Sequence, residues 1–123
     1  MVSSSLSICQ TAGDHKKVAN YLVDSWINAK ALVESRGDQF FVVLQPNSFI
    51  GVSDLRHIKK KRIYQLQYEK LYPLIKKAAE DKEIEYLDLT NIFKKDDLVY
   101  IDWCHLSPNG NIILKNQLIN RIN

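Results

Sequence analysis

FFVVLQPN, Phe40 to Asn47, is a continuous apolar run that breaks at a proline. Phe40 to Leu44 is rich in β-formers and shows no polar alternation. That is the pattern of a strand buried on both faces, as in a parallel sheet covered by helices. Pro46 ends the run, so Gln45, Pro46 and Asn47 fall at its carboxyl end. Open α/β sheets bind their ligands along that edge.

Upstream, Val18, Tyr21, Leu22, Trp26, Ala29 and Val33 recur at helical spacing and define one apolar stripe, which Gly37 closes. The Ser-rich first dozen residues lack periodicity and are expected to be a frayed lead-in. Downstream, Ser53 is a candidate N-cap for a second helix beginning near Asp54. Ile58, Ile63, Leu66, Leu71, Leu74, Ile75 and Ala78 keep its apolar face, and Pro73 within it predicts a kink or break. IEYLDL, Ile84 to Leu89, is expected to form a second short strand, and TNIF after it a turn. The last helix should follow Ser107 as N-cap and Pro108 at the first helical position, burying Ile112, Ile113, Leu114, Leu118, Ile119 and Ile122.

The order helix, strand, helix, strand, helix predicts parallel strands joined by right-handed crossings and covered by helices. Two strands are few for a parallel sheet, and the pattern looks like the second half of a doubly wound fold.

The 123 residues, 46% of them hydrophobic, fit one domain over 1–123. Seventeen basic and 14 acidic residues leave a net charge of +3, too mild to imply nucleic acid. Lys59, Lys60, Lys61 and Arg62 form one basic run, expected to be a solvated helical face. Cys9 and Cys104 are far apart and outside any CxxC pair, and the three histidines, His15, His57 and His105, show no metal-ligand spacing. The expectation is no disulfide framework, no metal and no cofactor. No apolar run has the length of a membrane span. MVSSSLSICQ has no basic segment and too short an apolar core for a signal peptide, which favours the cytoplasm if Met1 is the true start. The compartment is otherwise open.

Chemistry concentrates in YIDWCHLSPNGN, Tyr100 to Asn111, where Asp102 and His105 stand three positions apart just before the last helix. An imidazole acting as general base needs a fixed tautomer, and a carboxylate accepting from one ring nitrogen supplies it. The other ring nitrogen then faces a nucleophile. The rival reading of the same pair is a surface His near an Asp by chance, or a structural helix-entry network.

The block DWCHLSPNGN closely resembles the final sequence block of the SGNH hydrolases, also called the GDSL esterase family, with its Asp-x-x-His, helix start and Gly-Asn pair. LQPN, Leu44 to Asn47, and YLDLTNIF, Tyr86 to Phe93, resemble stretches of its bacterial members. The resemblance runs from about Val18 onward; its specific part is the final block. It implies a three-layer α/β/α, flavodoxin-like hydrolase fold, here incomplete, with Asp102 and His105 as acid and base of a Ser–His–Asp triad. The substrate class it implies is an ester, such as an acetyl or acyl group on a carbohydrate or lipid.

The family's nucleophilic Ser stands in a Gly-Asp-Ser or Gly-Gly-Ser-type motif, and its oxyanion hole adds a Gly and an Asn from two further blocks. None of these is recognisable here. AGDH, Ala12 to His15, has His15 where the Ser belongs, and Ser3, Ser4 and Ser5 lack a strand to hold them. Asn47 lacks the family's Gly-x-Asn-Asp setting and is not assigned to the oxyanion hole. Without nucleophile and oxyanion donors, an acid–base pair does not cleave an ester. The chain is therefore expected to be the C-terminal part of an SGNH-type hydrolase, inactive alone, either self-associating or completed by an N-terminal half. From a different class, the alternative is a non-catalytic α/β module that binds a partner chain through an exposed sheet edge.

Overall fold

A computed structural model describes residues 11–59 and 62–122. The element order is α1 (Ala12–Glu34), β1 (Val43–Leu44), α2 (Arg62–Asp81), β2 (Leu87–Asp88) and α3 (Pro108–Ile122). The protein is mixed α/β, and β1 and β2 pair in parallel with Val43 opposite Leu87 and Leu44 opposite Asp88. The Leu89 N–H donates to the Leu44 carbonyl at 3.1 Å and extends the pairing by one bond. The chain divides into two compact units. One comprises the described part of Met1–Val42 with Gln65–Tyr86; the other comprises the described parts of Val43–Tyr64 and Leu87–Asn123.

In the first unit, α1 begins earlier than its apolar stripe suggests. Thr11 and Asp14 form a capping box: the Asp14 N–H donates to Thr11 Oγ1 at 3.2 Å and the Thr11 N–H to Asp14 Oδ2 at 3.0 Å. Thr11 and Ala12 thus belong to the helix start rather than to a frayed lead-in. The expected lead-in otherwise covers residues 1–10, which lie outside the described residues, as do Cys9 and Ser3, Ser4 and Ser5. The buried line of α1 is His15, Ala19 and Val23, successive i, i+4 positions. Tyr21, expected on the buried face, is 78% exposed, and Val18 is exposed too. Small and polar residues on the inner line hid its phase. Ile75, Ala78 and Ala79 from α2, with Val42 and Ile84, supply the unit's other buried apolar side chains.

Both long helices close in the same way. Gly37 has φ +83°, its N–H donates to the Glu34 carbonyl at 3.0 Å, and the Asp38 N–H reaches the Val33 carbonyl at 3.4 Å. These are the paired bonds of a Schellman motif. At the end of α2, Glu83 takes the left-handed position with φ +57°. Its N–H donates to Glu80 O at 3.1 Å, and the Ile84 N–H to Ala79 O at 3.0 Å. α2 runs continuously from Arg62 to Asp81 with Pro73 inside it, so Pro73 does not break the helix.

The strands are shorter than the apolar runs. Only Val43 and Leu44 of Phe40–Leu44 are strand, and Phe41 is 48% exposed while Val42 and Leu44 are buried. The run is therefore not covered on both faces. Ser53 does not cap α2, which starts at Arg62: the chain between them makes a turn at Arg56 and His57, and the Asp54 N–H is held by the Asp97 carbonyl at 2.8 Å. Of the basic run, Lys59 precedes the helix and Arg62 opens it; both are exposed, and Lys60 and Lys61 lie outside the described residues.

The second unit's core gathers Phe93, Val99 and Tyr100, with Leu55, Ile58, Ile92, Leu106 and Ile113 packed against them. Phe93 and Tyr100 meet edge to face at 5.7 Å between ring centroids. α3 starts as expected: Ser107 Oγ accepts the Gly110 N–H at 3.1 Å, and Pro108 is the first helical residue. Ile112, Ile119 and Ile122, expected buried, are exposed. Arg121 near the end of α3 donates from Nη1 to the Asp88 carbonyl at 2.9 Å, tying α3 to the end of β2. Among the described residues, no helix is long and apolar enough to cross a membrane.

Candidate functional site: the Asp102–His105 loop

The loop carrying Asp102 and His105 is closed at its base by a short antiparallel link. Tyr100 bridges Leu106, the Ser107 N–H donates to the Val99 carbonyl at 2.8 Å, and the Ile101 N–H to the His105 carbonyl at 2.8 Å. Val99 and Tyr100 are buried, so the base of the loop is part of the core while its tip is in solvent. His57 supports the same base, its Nε2 donating to the Tyr100 carbonyl at 2.6 Å. Sequence reading gave His57 no role; its partner is a backbone carbonyl, which spacing does not reveal.

At the tip, Asp102 uses its two oxygens differently. Oδ1 accepts the backbone N–H groups of Cys104 at 3.0 Å and His105 at 2.7 Å. Oδ2 meets His105 Nδ1 at 2.7 Å, and Oδ1 lies 3.0 Å from the same nitrogen. The two backbone donors, and then the His105 ring, hold the Asp102 carboxyl far below the usual carboxylate range. Asp102 is thus an anion that fixes both the loop backbone and the imidazole. Nδ1 faces the carboxylate, so Nε2 is the ring nitrogen turned away from it. The side chains are 50% and 74% exposed, which leaves the imidazole reachable.

The sequence reading brought Asp102 and His105 together, and the structure places them in contact. It did not find the groups around them. The Trp103 carbonyl, between the pair, accepts the Ser48 N–H at 2.9 Å, which ties the loop to the segment after β1. The Trp103 ring lies 5.4 Å from Phe49 and 6.4 Å from Tyr64 between centroids. This aromatic cluster gives the exposed loop a packed flank. Asn47, on the same segment, is buried, and its Oδ1 accepts the Phe49 N–H at 2.9 Å. That bond turns the chain after Pro46.

Cys104 also belongs to the site. Its Sγ is 3.4 Å from His105 Nδ1, and it is a free thiol. Burial, and then the neighbouring Asp102 carboxylate, push that thiol up from its ordinary value, so it stays protonated at neutral pH. Asp102, Cys104 and His105 each offer one ligand atom, and these lie within 4.8 Å of one another. The sequence signal was three ligand-type residues within four positions, which a search for CxxC or His pairs passes over.

The remaining candidates are placed elsewhere. His15 of AGDH lies in the first turn of α1, buried, with Nδ1 donating to the Thr11 carbonyl at 2.7 Å and Nε2 3.0 Å from Gln67 Oε1. It is a satisfied core histidine. A scan against protein-family models and searches of curated proteins and of solved structures found no match.

Proposed function

We propose that Asp102 and His105 are the acid and base of an SGNH-type ester hydrolase centre whose nucleophilic Ser is not among residues 1–123. The carrying observation is the 2.7 Å contact between Asp102 Oδ2 and His105 Nδ1, on a carboxylate already held by two backbone donors. The resemblance of DWCHLSPNGN to the family's last block supplies the reaction class, and a three-layer arrangement of the completed domain goes with it.

In that reaction the proton of a Ser hydroxyl passes to His105 Nε2 as the oxygen attacks the ester carbonyl. Asp102 accepts from Nδ1–H throughout and stabilises the imidazolium. The imidazolium returns its proton to the departing alcohol, leaving an acyl-enzyme, and the same nitrogen then activates water to release the acid. The substrate is an acetyl or acyl ester of a carbohydrate or lipid. Residues 1–123 alone hold the base and its orienting acid, without the nucleophile block.

The test compares the chain alone with the chain joined to a segment bearing the Gly-x-Ser block. The chain alone should resist labelling by a fluorophosphonate and hydrolyse p-nitrophenyl acetate no faster than its His105→Ala variant. The joined protein should be labelled and active, with activity lost in His105→Ala. Stoichiometric labelling of a Ser in the chain alone would overturn the reading.

The second reading is a module that binds a partner strand. It draws on the two-stranded sheet, in which each strand has only one neighbour among the described residues. A compact monomer at micromolar concentration in sedimentation would speak against it, and against self-association of this chain.

A further inference from the structure

The Asp102–His105 loop has a second chemical capacity, independent of proton transfer. Oδ1 of Asp102 is occupied by the Cys104 and His105 N–H groups, so the loop keeps its shape whatever Oδ2 does. Asp102, Cys104 and His105 each bring one ligand atom within 4.8 Å of the other two, with Sγ 3.4 Å and Oδ2 2.7 Å from Nδ1. Zinc bound tetrahedrally by N, O and S donors at about 2.0–2.3 Å has ligand–ligand edges of about 3.3–3.8 Å. The Sγ···Nδ1 edge already has that length. The Oδ2···Nδ1 edge needs to open by about 0.6 Å to admit the ion, through small rotations of two exposed side chains.

We propose that Asp102 Oδ2, Cys104 Sγ and His105 Nδ1 form a three-ligand site for a borderline-soft divalent transition metal ion of the zinc type. The donor set selects the ion class. A thiolate and an imidazole favour zinc over magnesium or calcium, and one carboxylate alone is a poor site for a hard cation. Exposure leaves the fourth position to water.

Binding balances as follows. The Cys104 thiol proton leaves to solvent as the Sγ–metal bond forms. The ring proton moves from Nδ1 to Nε2 as the Nδ1–metal bond replaces the hydrogen bond to Asp102. The metal is neither oxidised nor reduced. A further consequence rests on the base role proposed above: a ring carrying its proton on Nε2 cannot accept one there, so the occupied site is catalytically silent. Metal binding and general-base action exclude each other because they use the same imidazole.

The experiment uses the full chain with Co²⁺ and Zn²⁺ as probes and needs no catalysis. One equivalent of Co²⁺ should give tetrahedral d–d bands and a thiolate-to-cobalt charge-transfer band, both displaced by Zn²⁺. Calorimetric Zn²⁺ titration should show one site. Cys104→Ser and His105→Ala should each weaken it by at least the roughly tenfold that loss of a mere supporting group costs a metal site. Cys9→Ser should leave it unchanged. Zn²⁺ should also protect the Cys104 thiol from alkylation in the Cys9→Ser background, which reads the site without altering its ligands. Equal Zn²⁺ affinity in Cys104→Ser and the parent chain, a missing charge-transfer band, or alkylation unaffected by Zn²⁺ would overturn the proposal. None of these outcomes bears on whether His105 serves as a base.

Discussion

Asp102 grips His105 twice, through its backbone N–H at 2.7 Å and through its ring Nδ1 at 2.7 Å, with a different carboxylate oxygen closest in each case. The two jobs separate by mutation. Asp102→Asn keeps an oxygen for the Cys104 and His105 N–H groups but offers an amide donor to the ring. Asp102→Ala removes both. Hydrogen exchange at the Cys104 and His105 amides should therefore stay slow in Asp102→Asn and become fast in Asp102→Ala. Equal exchange in the two variants would mean that the carboxylate does not hold the loop.

The same carboxylate sets an acid dependence. Its folded value is lowered, by the Cys104 and His105 backbone donors first and the His105 ring after them. A lowered carboxyl stabilises the fold above its unfolded value of about 3.9, and the contribution is lost as pH falls through the folded value. The loop should stay protected down to about pH 4 and open only in stronger acid. Amide protection followed by NMR across this range checks it; opening between neutral pH and about pH 5, well above the unfolded carboxyl value, would contradict it.

Gly110 is where α3 meets the base of the loop. A Cβ there would sit 2.6 Å from the Val99 carbonyl oxygen and 3.1 Å from Val99 Cβ. That carbonyl already accepts the Ser107 N–H, so it is not free to withdraw. Alanine gains about 1 kcal/mol of helix propensity but meets an overpacking cost of about 1–3 kcal/mol. Thermal denaturation of Gly110→Ala should show net destabilisation, with the loop amides losing protection alongside.

Glu83 closes α2 from the left-handed region, a position that suits glycine. Relief of the Cβ strain is worth about 1–2 kcal/mol, and the added freedom of the unfolded chain takes back about 0.4–1 kcal/mol. Glu83→Gly should therefore raise stability by about 0.5–1 kcal/mol, read as a higher denaturation midpoint at unchanged slope.

The elements legible in the sequence were those that local chemistry specifies. Ser107 and Pro108 announced α3 because N-cap and first-turn preferences are short-range, and Asp102 and His105 are close enough in sequence for a tight loop to join them. The order of helices and strands followed from apolar periodicity. Phase and extent were hidden where tertiary packing decides them. His15, Ala19 and Val23 form the inner line of α1 although Tyr21 is larger and more apolar than His15, because His15 finds partners for both ring nitrogens. Glu83 ends α2 with no glycine to mark it. The Ser48–Trp103 and His57–Tyr100 bonds join residues far apart in sequence through backbone carbonyls, which carry no residue signature.

The most direct measurement is the tautomer of His105, read from the ¹⁵N shifts and ring-proton couplings of its two nitrogens in the neutral form. A ring oriented by Asp102 for base catalysis carries its proton on Nδ1 and keeps Nε2 as the lone pair. The expected result is a single Nδ1–H tautomer in the parent chain, replaced by the Nε2–H form in Asp102→Asn, where the amide oxygen stays with the two backbone N–H groups and the amide nitrogen, in the place of Oδ2, donates to Nδ1. A predominantly Nε2–H ring in the parent chain, or the same tautomer in both proteins, would contradict the role of Asp102 as the orienting acid.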